Sequence, residues 1–141
     1  MNRRDFIIAT TAISLAAPLA LRAESMDKGM ADIAYTPEAL RAALADGQTV
    51  FLDFKASWCT TCAAQGRVIS ALRSENPAYD AGITFMVADW DEWGRSQIVR
   101  DLQVPRRSTL IVLRGDQELG RIVAGTAQKD IKALLDRALQ A

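Results

Sequence analysis

Histidine is absent from all 141 residues, and cysteine occurs only twice. The first absence excludes Ser-His-Asp and Cys-His catalysis, together with zinc sites built on imidazole. Two cysteines cannot make a four-cysteine structural site, and attachment of a c-type haem needs a histidine directly after the second cysteine, where Ala63 stands. An excess of either charge is also missing, with 17 basic residues against 17 acidic ones. Without residues 1–23, which hold Arg3, Arg4, Arg22 and Asp5, 14 basic and 16 acidic residues remain. That balance gives no electrostatic footprint for nucleic acid or for an anionic membrane surface. Three readings stay open for the cysteine pair: a static disulfide, a redox couple, or half of a soft-metal site.

What the chain does have is 50% hydrophobic and 24% charged residues, a balance that suits one α/β domain. It opens with Arg3-Arg4, an apolar stretch to Leu21 broken by Thr10, Thr11, Ser14 and Pro18, and a small residue at Ala23. This is the pattern of a secretory signal peptide over residues 1–23. Arg3-Arg4-Asp5-Phe6-Ile7 resembles the twin-arginine export motif, with Asn2 where that motif usually carries Ser or Thr. The resemblance implies export of a folded protein to the periplasm, with cleavage near Ala23. The alternative is an uncleaved anchor, although the apolar run falls short of the ~20 residues a spanning helix needs.

Residues 24–32 read as a flexible lead-in and 33–141 as the folded domain. A short strand is expected at Ile33 to Tyr35. Thr36 then caps a helix with Pro37 at its first position and Gly47 beyond its end. Thr49 to Lys55 alternates, with Val50, Leu52 and Phe54 on one side and Phe51 and Asp53 on the other. A second helix starts at about Cys59 and ends before Asn76-Pro77, with Cys62, Ile69 and Leu72 inward. Ile83 to Val87 reads as a buried strand and Glu92 to Leu102 as a third helix. Thr109 to Leu113 and Glu118 to Ala124 form a hairpin about Gly115-Asp116, and Gln128 to Leu139 is an amphipathic helix. The order β-α-β-α-β-α-β-β-α predicts an α/β fold, a mixed central sheet of four to five strands with helices on both faces.

Cys59 and Cys62, at i and i+3, can meet within one helical turn. At a strand-to-helix junction, the free N–H groups and the helix dipole favour a thiolate on the first of them. Cys59 is therefore the expected exposed nucleophile, and Cys62, a turn deeper, the resolving thiol.

The run Phe51-Leu52-Asp53-Phe54-Lys55-Ala56-Ser57-Trp58-Cys59-Thr60-Thr61-Cys62 resembles the thioredoxin family, and Val50 to Cys62 is most similar to the reducing periplasmic domain of the DsbD type. The resemblance implies a thioredoxin fold and a thiol–disulfide oxidoreductase, with the Cys59–Cys62 pair as its redox group and no separate cofactor. It makes Asp53 the buried acid that relays the proton of Cys62, and Trp58 the flat wall beside the nucleophile. Trp90 and Trp93 have no counterpart and are read as packing or surface residues. Gly125 leads the last helix and, with Trp58, Val104 and Pro105, is expected to bind substrate.

The pattern breaks opposite the pair. The family's cis-proline directly precedes a Thr-Leu, yet Ser108 precedes Thr109-Leu110, and Pro105 lies three positions earlier. Either Pro105 is the cis-proline before a longer loop, or Ser108 takes its place; the run Leu102-Gln103-Val104-Pro105 favours Pro105. Arg106 and Arg107 would then lower the pKa of Cys59, greet acidic partners, or simply be solvated. Thr60-Thr61 lacks the histidine of strongly oxidising relatives, so the expected direction is reduction. The expected partners of a monomer are protein thiols and disulfides, with a DsbD- or CcdA-like membrane electron donor. A thiol oxidant or isomerase is the first alternative. A copper(I)-handling protein is the second, and it lacks an obvious third ligand because Met86 falls in a buried strand.

Overall fold

The computed structural model describes residues 31–141, so the expected signal peptide and most of the expected lead-in lie outside the described residues. The chain forms β1 (Ile33–Ala34), α1 (Pro37–Ala45), β2 (Thr49–Lys55), α2 (Thr60–Glu75), α3 (Ala78–Gly82), β3 (Thr84–Asp89), α4 (Trp90–Trp93), α5 (Gln97–Asp101), β4 (Thr109–Arg114), β5 (Gln117–Val123) and α6 (Gln128–Leu139). Five strands make one sheet in the order β1-β3-β2-β4-β5. The first two neighbouring pairs are parallel, and β4 runs antiparallel to both β2 and β5. This is the mixed α/β sheet that the element order predicted and the thioredoxin fold that the resemblance implied, with β2 hydrogen-bonded on both edges.

The two-residue alternation of β2 divides the core. Val50, Leu52 and Phe54 join Leu40, Met86 and Ile111 on the face covered by α1, α4 and α5. Phe51 joins Ile69, Leu72, Leu110 and Leu135 on the face covered by α2, α3 and α6. Thr36 caps α1 as expected, its hydroxyl accepting from the Ala39 N–H at 3.0 Å. Gly47 takes φ 76° in the turn into β2, a conformation that glycine adopts without strain.

Two elements differ from expectation. The helix expected over Glu92 to Leu102 is two short turns, α4 and α5. Ser96 breaks it, turning its N–H and its hydroxyl onto the Trp93 carbonyl at 2.9 and 2.6 Å, a local bond that competes with helix continuation. The expected inward side chains Ile98, Val99 and Leu102 still pack on the core. The additional helix α3 follows Pro77, where the Asn76 side chain accepts from the Ala78 N–H at 3.2 Å. Tyr79 is its one buried anchor.

Asp32, at the edge of the expected lead-in, is tied to the domain. It pairs with Arg73 of α2 at 2.7 Å, and Arg73 also pairs with Asp80 of α3 at 2.6 Å. The guanidinium is buried and lies 3.9 Å from the centre of the Phe85 ring. Removing one member of a buried charge network leaves the others unpaired, which costs several kcal/mol. Arg73→Met is therefore expected to destabilise the domain by about 2–4 kcal/mol. Urea unfolding would read this as a lower midpoint at unchanged slope, whereas Lys132→Ala, at the exposed pair with Asp136, should leave the midpoint in place.

Candidate active site

The site begins where β2 ends. Lys55 leaves the sheet, Ala56 to Trp58 make the turn, and Cys59 is the N-cap of α2. Its extended backbone, φ −90° and ψ 111°, is that of a capping residue, and its sulfur accepts the Cys62 N–H at 3.1 Å. The first-turn amide that serine or aspartate caps elsewhere is here aimed at sulfur. Cys59 and Cys62 are joined as a disulfide, with Cα atoms 5.2 Å apart. The pair packs with Ala56 and with Trp90, which is a packing residue as expected but one that abuts the cysteines.

Cys59 is not exposed as expected. It is 4% accessible, against 3% for Cys62. Part of its cover is Ser108, whose hydroxyl lies 3.1 Å from the Cys59 sulfur and 3.2 Å from that of Cys62. The residue opposite the pair is thus Ser108 and not Pro105. No peptide bond among the described residues is cis, and Pro105 is an exposed member of the turn. Val104, expected to bind substrate, is engaged within the domain. Its side chain is buried on the α1 face, and its N–H donates to the Val99 carbonyl at 2.8 Å.

Gln65 is the residue that sequence reasoning missed. It is wholly buried, and its Nε2 donates to the carbonyls of Ser108 at 3.0 Å and Gly125 at 2.9 Å. The carbonyl of Gly125 is thereby turned inward, tying the start of the last connection to the site. A signal was available: positions 62, 65, 69 and 72 share one helix face, and a glutamine on an otherwise apolar stripe needs partners.

Trp58 is 55% exposed, and both of its polar neighbours were beyond the reach of sequence. Its indole N–H donates to the Asp91 carboxylate at 3.0 and 3.1 Å. The Arg107 guanidinium stacks 4.5 Å from the ring centre, a cation–π contact that braces the turn beside Cys59. Arg107 is therefore not merely solvated.

Asp53 is buried in the central strand, as its apolar flanks suggested. Burial pushes its carboxyl up to about 7, against the opposing pull of the Lys55 ammonium 4.0 Å away, and Asp32 adds to the rise. One carboxylate oxygen has no hydrogen-bond partner. A cavity of about 20 Å³, room for one water molecule, lies against Asp53, Ile69, Arg73 and Asp32. Larger hollows of about 580 and 450 Å³ flank Ile33 at the far edge of the sheet, away from the cysteines. Met86 lies in the core on the α1 face and does not join the pair.

Taken together, these contacts put a disulfide at a helix N-terminus, a buried acid of raised pKa on the strand before it and an aromatic wall beside it. A model of the thioredoxin-like family matches residues 32–119, a span that holds all of these features. Thioredoxin H2-1 of Oryza sativa subsp. japonica is 32% identical over 81 residues, covering 57% of this chain and 53% of that protein. The chain thus spans about half the length of the curated relative it matches. Among solved structures, Trxlp from Edwardsiella tarda EIB202 is 27% identical with a TM-score of 0.66, over 74% of this chain and 98% of that one. Thioredoxin from Trypanosoma brucei brucei shares the fold at 21% identity and a TM-score of 0.66, over 82% and 97%. On the family match and the geometry that accompanies it, the chain belongs to the thioredoxin-like family.

Proposed function

We propose that this chain is a periplasmic thiol–disulfide oxidoreductase that reduces protein disulfides by cycling Cys59 and Cys62 between dithiol and disulfide. The observation that carries the reading is the Cys59 sulfur in the N-cap position, where the Cys62 N–H at 3.1 Å would stabilise a thiolate. In the cycle, the Cys59 thiolate attacks a client disulfide and forms a mixed disulfide. Cys62 then gives its proton to Asp53, attacks the Cys59 sulfur and releases the reduced client. A carboxyl with a pKa near 7 suits that transfer, because it can both take and return a proton at neutral pH. The water-sized cavity beside Asp53 supports proton exchange without opening the core.

The twin-arginine pattern at Arg3-Arg4 supports export, and the histidine-free Thr60-Thr61 dipeptide supports reduction. An exported reductant must itself be re-reduced, which calls for a membrane donor of the DsbD or CcdA type. One observation favours a second reading, as an oxidant or isomerase: the Ser108 hydroxyl lies against both sulfurs, a setting that stabilises the reduced, charged form.

Three outcomes are expected. In the full chain expressed in a bacterium, Cys62→Ser should trap mixed disulfides recovered in the periplasmic fraction. Adducts that persist in Cys59→Ser Cys62→Ser would contradict the nucleophile, and adducts confined to the cytoplasm would contradict the location. For direction, the pair equilibrated with an oxidising glutathione buffer should be almost entirely disulfide; an abundant dithiol would establish the oxidant reading instead.

The third outcome concerns pH. The folded pKa of Asp53 lies above its ordinary value of 3.8, so the native state holds the proton more tightly than the unfolded chain does. The stability it contributes is complete below about pH 4 and is lost as pH rises through 7. At about 1.4 kcal/mol for each pH unit, Asp53→Asn should gain roughly 4 kcal/mol on the parent between pH 4 and pH 8. Denaturant titrations at the two pH values would test this. The same variant should slow the resolving step on the order of 10²-fold.

A further inference from the structure

Ser108 has a backbone conformation that a side chain ordinarily avoids, with φ 64°. Three hydrogen bonds hold it there. Its N–H donates to the Phe54 carbonyl at 2.7 Å, and its own carbonyl accepts from the Ala124 N–H at 2.8 Å and from Gln65 Nε2 at 3.0 Å. The partners come from β2, from the connection after β5 and from α2, so three separate segments fix one residue. Strain maintained in this way points to a use. With the backbone committed, the hydroxyl is the group left free to act. It is fully buried, and it sits 3.1 and 3.2 Å from the two sulfurs.

A hydroxyl carries one proton that rotates about the C–O bond. Against a disulfide, where neither sulfur is charged, the bond it makes is weak. Against a thiolate the same contact becomes a charge-assisted hydrogen bond. Because one oxygen reaches both sulfurs, the proton can change partners without movement of any heavier atom.

We propose that Ser108 is a fourth catalytic group of the cycle, donating a hydrogen bond from its hydroxyl to whichever cysteine sulfur carries the negative charge. The inference rests on the reading of the pair as a redox couple. Before attack the hydroxyl bonds the Cys59 thiolate. As Cys59 bonds to one client sulfur, the client's own S–S bond breaks, and the second client sulfur leaves with the electron pair and takes a proton from water. The charge on Cys59 is then gone, and the hydroxyl turns to Cys62 as that thiol passes its proton to Asp53. The Cys62 electron pair forms the bond to Cys59, and the bond between Cys59 and the client breaks. The client leaves as a thiolate, so two electrons have moved from the pair to the client. Ser108 keeps its proton throughout. Asp53 and Lys55 on β2, Asp91 and Glu92 on α4, and Arg106 and Arg107 in the turn are among the charged groups on the elements around the pair, and a substitution at Ser108 removes none of them.

Two variants of the full chain separate the hydroxyl from the strain. Ser108→Gly removes the hydroxyl and suits the left-handed backbone, whereas Ser108→Ala removes the hydroxyl and keeps the strain. The pH dependence of iodoacetamide alkylation gives the pKa of Cys59, and equilibration with glutathione gives the stability of the disulfide. Both variants are expected to raise the Cys59 pKa by about one unit and to shift the equilibrium about tenfold toward the disulfide. Values within twofold of the parent in both variants would overturn the proposal. A change confined to Ser108→Ala would overturn it as well, assigning the effect to the backbone. Neither readout needs a protein client, so a failure here is distinct from a failure of Cys62→Ser to trap clients.

Discussion

The pairing of β2 along both of its edges is the constraint on which the rest depends. β3 and β4 flank it in continuous register from Val50 to Phe54, so its side chains can point only into one core or the other. The strand therefore delivers two things at once. Its alternation seals the two helical layers to the sheet, and it places a carboxyl among hydrocarbon at Asp53. Its end sets the position of the turn at Ala56 and hence of the helix cap that holds the sulfur. Even the brace on Ser108 runs through it, by way of the Phe54 carbonyl. A shift of one residue in this register would exchange the two faces and carry Asp53 out of the site.

Sequence was informative where one local signal had one interpretation. The alternation of Thr49 to Lys55, the Thr36-Pro37 start of α1 and the stripe Ile131, Leu134, Leu135, Ala138 of α6 all translate directly into the structure. It was less informative where side chains compete with the backbone. Ser96 ends a helical pattern that apolar periodicity alone would have continued, and α3 is too short to show a period. In the site, the cysteines, Asp53 and Trp58 were legible because each violates or serves a local rule. The position of Ser108 was not, because it follows from contacts 43 residues away to Gln65 and 49 to Cys59. The run into Pro105 resembled the family locally, and local resemblance could not show which residue the longer turn brings to the sulfurs.

The chemistry of the site is a balance of opposed terms. Burial holds a proton on Asp53 near neutrality, while Lys55 pulls the other way. The helix N-terminus and the Ser108 hydroxyl favour the reduced, charged pair, whereas the close packing of Ala56, Trp90 and the cysteines gives the charge little water. Direction of electron flow is set by the difference between these terms, in which ~30 mV corresponds to 1.4 kcal/mol. No single residue type between the cysteines decides it.

The ion cluster at Arg73 has a consequence for how the molecule is approached. Cys62 and Arg73 lie 11 positions apart on α2, or about 16 Å at 1.5 Å per residue. Asp32 is bound to the Arg73 end, so the path of the chain into the domain is fixed at the opposite end of that helix from the disulfide. The point where the described chain enters the domain and the pair of sulfurs thus stand at opposite poles of α2.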